Sequence, residues 1–275
     1  MINNTINATE QENSISACLL TARAENRLGI IPFINCGDPD LQTTHSLLSA
    51  CDHSGVCAVE LGVPFANSIT DGPKILKSHE RALAQKTQFE DVIDLVRDFR
   101  QESSLPIYIL AEYRHTVHQR GITAVLTQAK SAGANGFLMH CLPPLLLRSY
   151  LDTAREVGLA TVLGLFPNSK PNQIEFVMNE TTGFIYLTSS YGKTGTASGL
   201  TPNSLSFFKQ IRDQAKQPLA VGFGLKTRTD LKTIFNSGVD AGIVGSSITA
   251  IIEQHLDDAT AMCAAVTHYL TEMQI

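Results

Sequence analysis

No two of the six cysteines, at positions 18, 36, 51, 57, 141 and 263, stand in the C-x-x-C spacing of a zinc or redox pair. They read as mostly reduced, buried small hydrophobes. No block of Lys and Arg occurs, and the formal net charge is −5, so nothing draws the chain to phosphate backbones or anionic lipid. Nucleic acid and membrane surfaces are not expected partners. No segment offers eighteen uninterrupted apolar residues, and the opening MINNTINATEQENSIS lacks a basic region followed by an apolar one. A cytoplasmic protein is the expectation. There is no Pro/Gly/Ser-rich linker and no low-complexity tract. What remains is 275 residues, 43% of them hydrophobic, enough for one sizeable core. We place that single domain at residues 16–275, behind a polar extension over 1–15.

Eight short β-rich runs are present: GIIPFIN (29–35), CAVEL (57–61), PIYIL (106–110), GFLMH (136–140), LATVLGL (159–165), GFIYLT (183–188), LAVGF (219–223) and AGIVG (241–245). Helical periodicity lies between them, as in Phe89, Val92, Ile93, Val96 and Phe99, or Ala124, Val125, Gln128, Ala129 and Ala132. Glycines in SAGA (131–134), REVGLA (155–160) and FNSGVDA (235–241) fall where left-handed helix caps belong. Continuous apolar runs suit strands buried on both faces of a parallel sheet. Eight βα repeats in this length predict an α/β fold, a closed (β/α)8 TIM barrel, with an open doubly wound sheet as the alternative.

In ELGVPFANSITDGP (60–73), Glu60 closes the second strand and so belongs at the barrel face where βα loops assemble active sites. An apolar wall there favours its neutral form and suits it to shuttle a proton. Asp71 either approaches the same mouth or caps a helix opened by Gly72 and Pro73. VGFGLKT (221–227) and IVGSSIT (243–249) each set Gly between strand and helix. They read as a phosphate cradle after strands seven and eight, or as tight turns alone. SSYGKTGTASG (189–199) reads as a lid able to bring Thr194 or Gly195 onto a ligand, or as a surface loop. His140 and Cys141 read as pocket lining rather than as a metal or thiol site.

PFINCGDPD (32–40), ELGVPF followed by DGP, GFIYLTSSYGKTG, GFG and GSSI together resemble the tryptophan synthase alpha chain family, including stand-alone indole-3-glycerol phosphate lyases, from about residue 16 to the end. The resemblance implies retro-aldol cleavage of indole-3-glycerol phosphate to indole and glyceraldehyde 3-phosphate. Glu60 would be the general acid/base, Asp71 would hold the indole N–H, and Thr194 would close over Asp71. Phe33, Leu110 and Tyr186 would line the indole pocket. Gly195, Gly224, Gly245 and Ser246 would hold the phosphate, with Lys193 and Lys226 at most assisting. No cofactor, metal or Schiff-base lysine is implied.

The chain departs from the family in three places. Ala66, Asn67, Ser68, Ile69 and Thr70 stand where it usually has Ser-Asp-Pro-Leu-Ala. AEYRHT follows strand three in place of Met-Tyr-Ala-Asn, and Cys141 replaces an aspartate while Pro143 is kept. All three belong to the side that faces a beta chain, so the expectation is a lyase with weak or altered coupling to that partner. Two alternatives stand: a lyase for another phosphorylated aldol, admitted by Glu112 and Arg114, or a catalytically silent effector of a beta-like chain.

Overall fold

The computed structural model describes residues 14–188, 200–222 and 224–275. Strand β1 spans Gly29–Asn35, β2 Val59–Gly62, β3 Ile107–Glu112, β4 Gly136–His140, β5 Ala160–Thr161, β6 Leu163–Leu165, β7 Ile185–Leu187, β8 Leu219–Gly222 and β9 Ala241–Val244. All pair in parallel, in the order β5-β4-β3-β2-β1-β9-β8-β7-β6. The end strands of that order, β5 and β6, are separated only by Val162. Ala160 and Thr161 pair with β4, and Leu163 to Leu165 pair with β7. The chain itself therefore closes the ring, and the open doubly wound alternative is excluded.

The single fifth strand expected over 159–165 is thus corrected to two short ones. Barrel closure staggers neighbouring strands, and each half of this run keeps its ladder with a different neighbour. Thr161 bridges the joint: its N–H donates to Thr182 Oγ1 at 3.0 Å, and its carbonyl accepts from Gly183 N–H at 2.9 Å.

Alternation along the strands divides the core. Ile31, Phe33, Ala58, Tyr108, Phe184, Ala220, Ala241 and Ile243 form the inner cluster, while Ile30, Ile34, Val59, Leu61, Ile107 and Ile109 belong to a separate outer one. The inner cluster also takes in Ile15, Leu19 and Ala22 of the helix Ser14–Ala24. An added Cβ would meet Leu19 at Gly29 and Ile15 at Gly136, at 2.8 and 3.2 Å, so these bare positions admit the helix against one end of the barrel. Residues 1–13 of the expected extension lie outside the described residues.

The helix Phe89–Phe99 buries all five of its expected apolar positions. On Ile122–Ser131, Leu126 is buried with Val125 and Ala129, whereas Ala124 and Gln128 face outward. Gly133, Gly158 and Gly238 have φ of 94°, 73° and 86°, the left-handed geometry expected after those helices. Of the six cysteines, all unpaired, Cys36, Cys51 and Cys57 are buried, Cys18 and Cys263 half-buried and Cys141 exposed. The expectation of mostly buried thiols holds for half of them. Among the described residues, no helix is long and apolar enough to cross a membrane.

One ion pair ties the loop after β1 to the helix Pro73–Ala84. Arg81 donates through Nε to Asp38 Oδ1 at 2.6 Å and through its second nitrogen to Oδ2 at 2.8 Å, and the Asp38 side chain is fully buried. Arg81→Ala would leave a buried, uncompensated carboxylate, so it is expected to cost about 3–5 kcal/mol. Urea unfolding checks this, with Arg81→Lys recovering only part because it loses the two-pronged fit.

Candidate active site

Strand register sets the first functional group. Phe33 on β1, Glu60 on β2 and Tyr108 on β3 are consecutive partners across the sheet. Even-numbered β2 positions point inward with Ala58, so Glu60 projects into the barrel between two aromatic rings. It is 2% exposed, and its Oε1 has no hydrogen-bond partner. Burial disfavours the charged form. The nearby Tyr108 hydroxyl favours it, Asp71 opposes it, and the net result pushes Glu60 up to about 8. Glu60 is therefore a carboxylic acid at neutral pH, facing a cavity.

Asp71 enters from the loop after β2. Gly72, not Asp71, occupies the cap position of the helix Pro73–Ala84, with Pro73 in its first turn. The helix-cap reading of Asp71 is thereby corrected. A residue one place before the cap has its side chain directed by the loop, and here it reaches His79 on the same helix, Oδ2 to Nε2 at 3.2 Å. Burial works to raise Asp71. Hydrogen bonds from His79 and Ser68, and the nearby His79 and His140 imidazoles, outweigh it and hold the carboxyl below its ordinary value. Two acids thus face one cavity with their proton affinities driven apart.

The cavity, with about 550 Å³ of empty space that includes its mouth open to solvent, is lined by Phe33, Glu60, Asp71, Ile75, Leu110, Tyr186, Gly222, Gly224, Leu225, Ile243, Gly245 and Ser246. Its acid end is apolar, walled by Phe33, Leu110 and Tyr186, which suits a flat aromatic body. Its other end is glycine and serine. Gly245 occupies the cap position of the helix Ser246–Gln254, whose first N–H groups have no acceptor within the helix and whose dipole favours an anion. Gly224 has φ of 74°, which an L side chain resists. Phe33 joins the two ends, since a Cβ on Gly245 would stand 3.3 Å from its ring.

Gly222 has a steric reason of its own. A Cβ there would stand 2.0 Å from the Tyr186 hydroxyl, so Gly222→Ala must displace that ring, which itself lines the cavity. Misplacement on this scale near a reacting centre costs about 10²-fold. The expected result is a fall of that size in kcat/KM, with the fold retained by circular dichroism.

Every expected site residue that is described lines this one cavity: Phe33, Glu60, Asp71, Leu110, Tyr186, Gly224, Gly245 and Ser246. Thr194 and Gly195, the lid reading and Lys193 lie outside the described residues. Lys226 is exposed and absent from the cavity wall. His140 and Cys141 are not cavity lining, contrary to expectation. His140 is half-buried, near Asp71 and Glu112, and Cys141 is exposed with φ of 54°. Glu112 and Arg114 also stay off the wall. Glu112 accepts from the His115 main-chain N–H at 2.9 Å and Arg114 Nε at 3.4 Å, and its Oε2 lies 2.8 Å from His115 Nδ1.

Sequence reasoning missed His79, Ile75, Leu225 and Ile243. A signal for the first existed: Ile75, Ser78, His79 and Ala82 form the buried face of one amphipathic helix, where a histidine is out of place without a polar partner.

A closed parallel barrel in which one cavity is faced by a carboxyl group of raised proton affinity, one of lowered proton affinity and a helix N-terminus defines the class of (β/α)8 enzymes equipped for acid–base chemistry. Residues 19–275 match the family described as tryptophan synthase alpha chain. The chain is 36% identical over 266 residues to the tryptophan synthase alpha chain of Rippkaea orientalis, covering 95% of this chain and 99% of that one. To that of Pyrococcus abyssi it is 35% identical over 231 residues, covering 84% and 92%. Solved structures are similar too. A mutant tryptophan synthase alpha-subunit from Pyrococcus furiosus superposes with a TM-score of 0.81 at 31% identity, covering 89% of this chain and 97% of that one. A chain of the tryptophan synthase complex from the same organism gives 0.81 at 29% identity with the same coverage. This chain belongs to the tryptophan synthase alpha chain family.

Proposed function

We propose that the cavity binds indole-3-glycerol phosphate and cleaves it by a retro-aldol reaction, with Glu60 and Asp71 as the two working carboxyl groups. The observation that carries this reading is the separation of their proton affinities: Glu60 is held up to about 8 and Asp71 is held low. Glu60 gives its proton to indole C3. The resulting cationic ring draws electron density from the C3–side-chain bond, and Asp71 stabilises the positive charge by accepting the ring N–H. The Glu60 carboxylate then takes the proton of the side-chain hydroxyl as the bond breaks, releasing indole and the aldehyde. No net proton is consumed, and Glu60 ends as it began.

Phe33, Leu110 and Tyr186 hold the ring, and the Gly224, Gly245 and Ser246 segment receives the phosphate through main-chain N–H groups. The placement of Glu112 and Arg114 off the wall removes the feature that favoured another aldol substrate. Thr194 and Gly195 keep their proposed roles, as closure over Asp71 and as a phosphate contact, on the family resemblance.

We assign a beta-like chain as partner at the barrel mouth and the cytoplasm as the site of action. Ile69 and Leu145, in the loops after β2 and β4, are 72% and 92% exposed, an apolar surface that a docking chain would cover. The departures at 66–70, 111–116 and 141 lie in the loop after β2, across the end of β3 into the turn that follows it, and just after β4, so they change the fit to a standard beta chain.

The test is indole release from indole-3-glycerol phosphate by the purified chain, alone and with a standard beta chain. Turnover by the chain alone with little activation supports both parts. Strong activation within a stable complex overturns the altered coupling, and no turnover in either setting overturns the lyase reading.

A further inference from the structure

Within the lyase reading above, on which this inference rests, we propose that His79 is a positioning residue for Asp71, a fixed hydrogen-bond donor that orients the carboxylate and keeps the shared proton on Glu60.

The geometry is closed at both ends of the imidazole. Nδ1 lies 3.3 Å from the main-chain nitrogen of Phe65. An N–H can only donate, so Nδ1 must be the acceptor, which places the ring proton on Nε2. Nε2 lies 3.2 Å from Asp71 Oδ2. The imidazole thus passes a backbone donor through to a carboxylate. It is 3% exposed, and a polar ring buried that deeply is stable only with both nitrogens satisfied.

Its orientation is set by packing as well. The Phe65 ring lies against His79 with centroids 4.6 Å apart, and on its other side stacks on His115 at 5.5 Å. His115 is in turn held by Glu112. The loops after β2 and β3 therefore clamp the ring that aims at Asp71.

The chemical need follows from two acids sharing one cavity. Asp71 is faced by His79 from the helix that follows it, Ser68 from its own loop, Glu60 on β2, Tyr186 on β7, His140 at the end of β4 and Cys141 just after it. Without a donor at Oδ2, the carboxylate gains proton affinity and competes with Glu60 for the one proton the reaction uses. A charge-assisted hydrogen bond supplies that bias.

The experiment compares wild type, His79→Phe, His79→Gln and Asp71→Asn. Phenylalanine keeps the ring's shape and removes both polar atoms, while glutamine restores a donor at the reach of Nε2. His79→Phe is expected to lower kcat by about 10- to 100-fold with little change in KM. The acid limb of kcat/KM should move toward neutral pH, and His79→Gln should recover most of both. A second readout is independent of turnover: the carboxyl carbon signal of Asp71, followed by NMR against pH, should titrate higher in His79→Phe and return toward wild type in His79→Gln. Wild-type kcat and an unmoved Asp71 titration in a folded His79→Phe protein overturn the proposal. So does a His79→Gln protein as impaired in both readouts as His79→Phe. Wild-type turnover lost in Asp71→Asn upholds the lyase reading. An inactive wild type overturns that reading alone, because the Asp71 titration still decides the role of His79.

Discussion

Glu60→Gln is expected to reduce indole release by about 10²- to 10⁴-fold and, in the same protein, to raise the melting temperature at neutral and alkaline pH. The first effect follows because glutamine fills the same space between Phe33 and Tyr108 but has no proton to give. The second follows from linkage. Glu60 sits at about 8 in the folded protein against an ordinary value of 4.5, so between those pH values the native state holds a proton that the unfolded chain has lost. Stability contributed by the neutral acid is fully present below pH 4.5 and is lost as pH rises through about 8. Glutamine has no such loss. The advantage of the variant should grow from pH 4.5 to about 8, reach the order of 4–5 kcal/mol, and stay level above. In wild type, kcat/KM should fall on the alkaline side through the same pH near 8, since the acid form starts the reaction. Urea unfolding across pH, with indole release across the same range, checks both. A flat stability difference, or an alkaline limb unchanged in the glutamine variant, contradicts the assignment.

Asp71→Asn should cost about 10²- to 10³-fold in kcat, with KM little changed. Asparagine can still accept from His79 through its amide oxygen, so the loop keeps its anchor; what disappears is the negative charge that opposes the cation developing on the indole ring. A transition-state interaction lost in this way lowers kcat and kcat/KM together. A second consequence separates this account from general damage. Asp71 raises the proton affinity of Glu60 by charge repulsion, so removing its charge should lower the Glu60 value. The alkaline limb of the residual activity should therefore move to lower pH. Steady-state kinetics from pH 6 to 10, in steps of about half a unit, resolves that displacement. An unmoved limb would show that the two carboxyl groups do not sense each other.

Much of the barrel is legible in the sequence because its strands are buried on both faces. GIIPFIN and AGIVG become β1 and β9 in nearly their expected spans, and Glu60 and Leu110 fall at inward positions because alternation along a strand has only two phases. The fifth run is the exception. Nothing in LATVLGL marks Val162 as the residue where the ladder changes neighbour, because that break is a property of ring closure. Asp71 was ambiguous for a related reason. A carboxylate beside Gly-Pro is compatible with a helix cap and with a site, and only the loop path from Phe65 to Gly72 turns it toward His79. Cys141 shows the opposite error, since adjacency to a strand end does not put a side chain in the cavity.

The sequence by itself determined the alternation of parallel strands and helices, the inward Glu60, the glycine turns after the last two strands and the kinship that joins them to one reaction. Each depends on local periodicity or on residue identity at short spacing, which the chain carries wherever it folds. Tertiary structure alone decided which acid holds the proton, which backbone donor reaches His79, and that Phe33 touches both ends of the cavity. Those outcomes depend on desolvation and on distances between segments far apart in the chain, and burial exists only once the ring has closed.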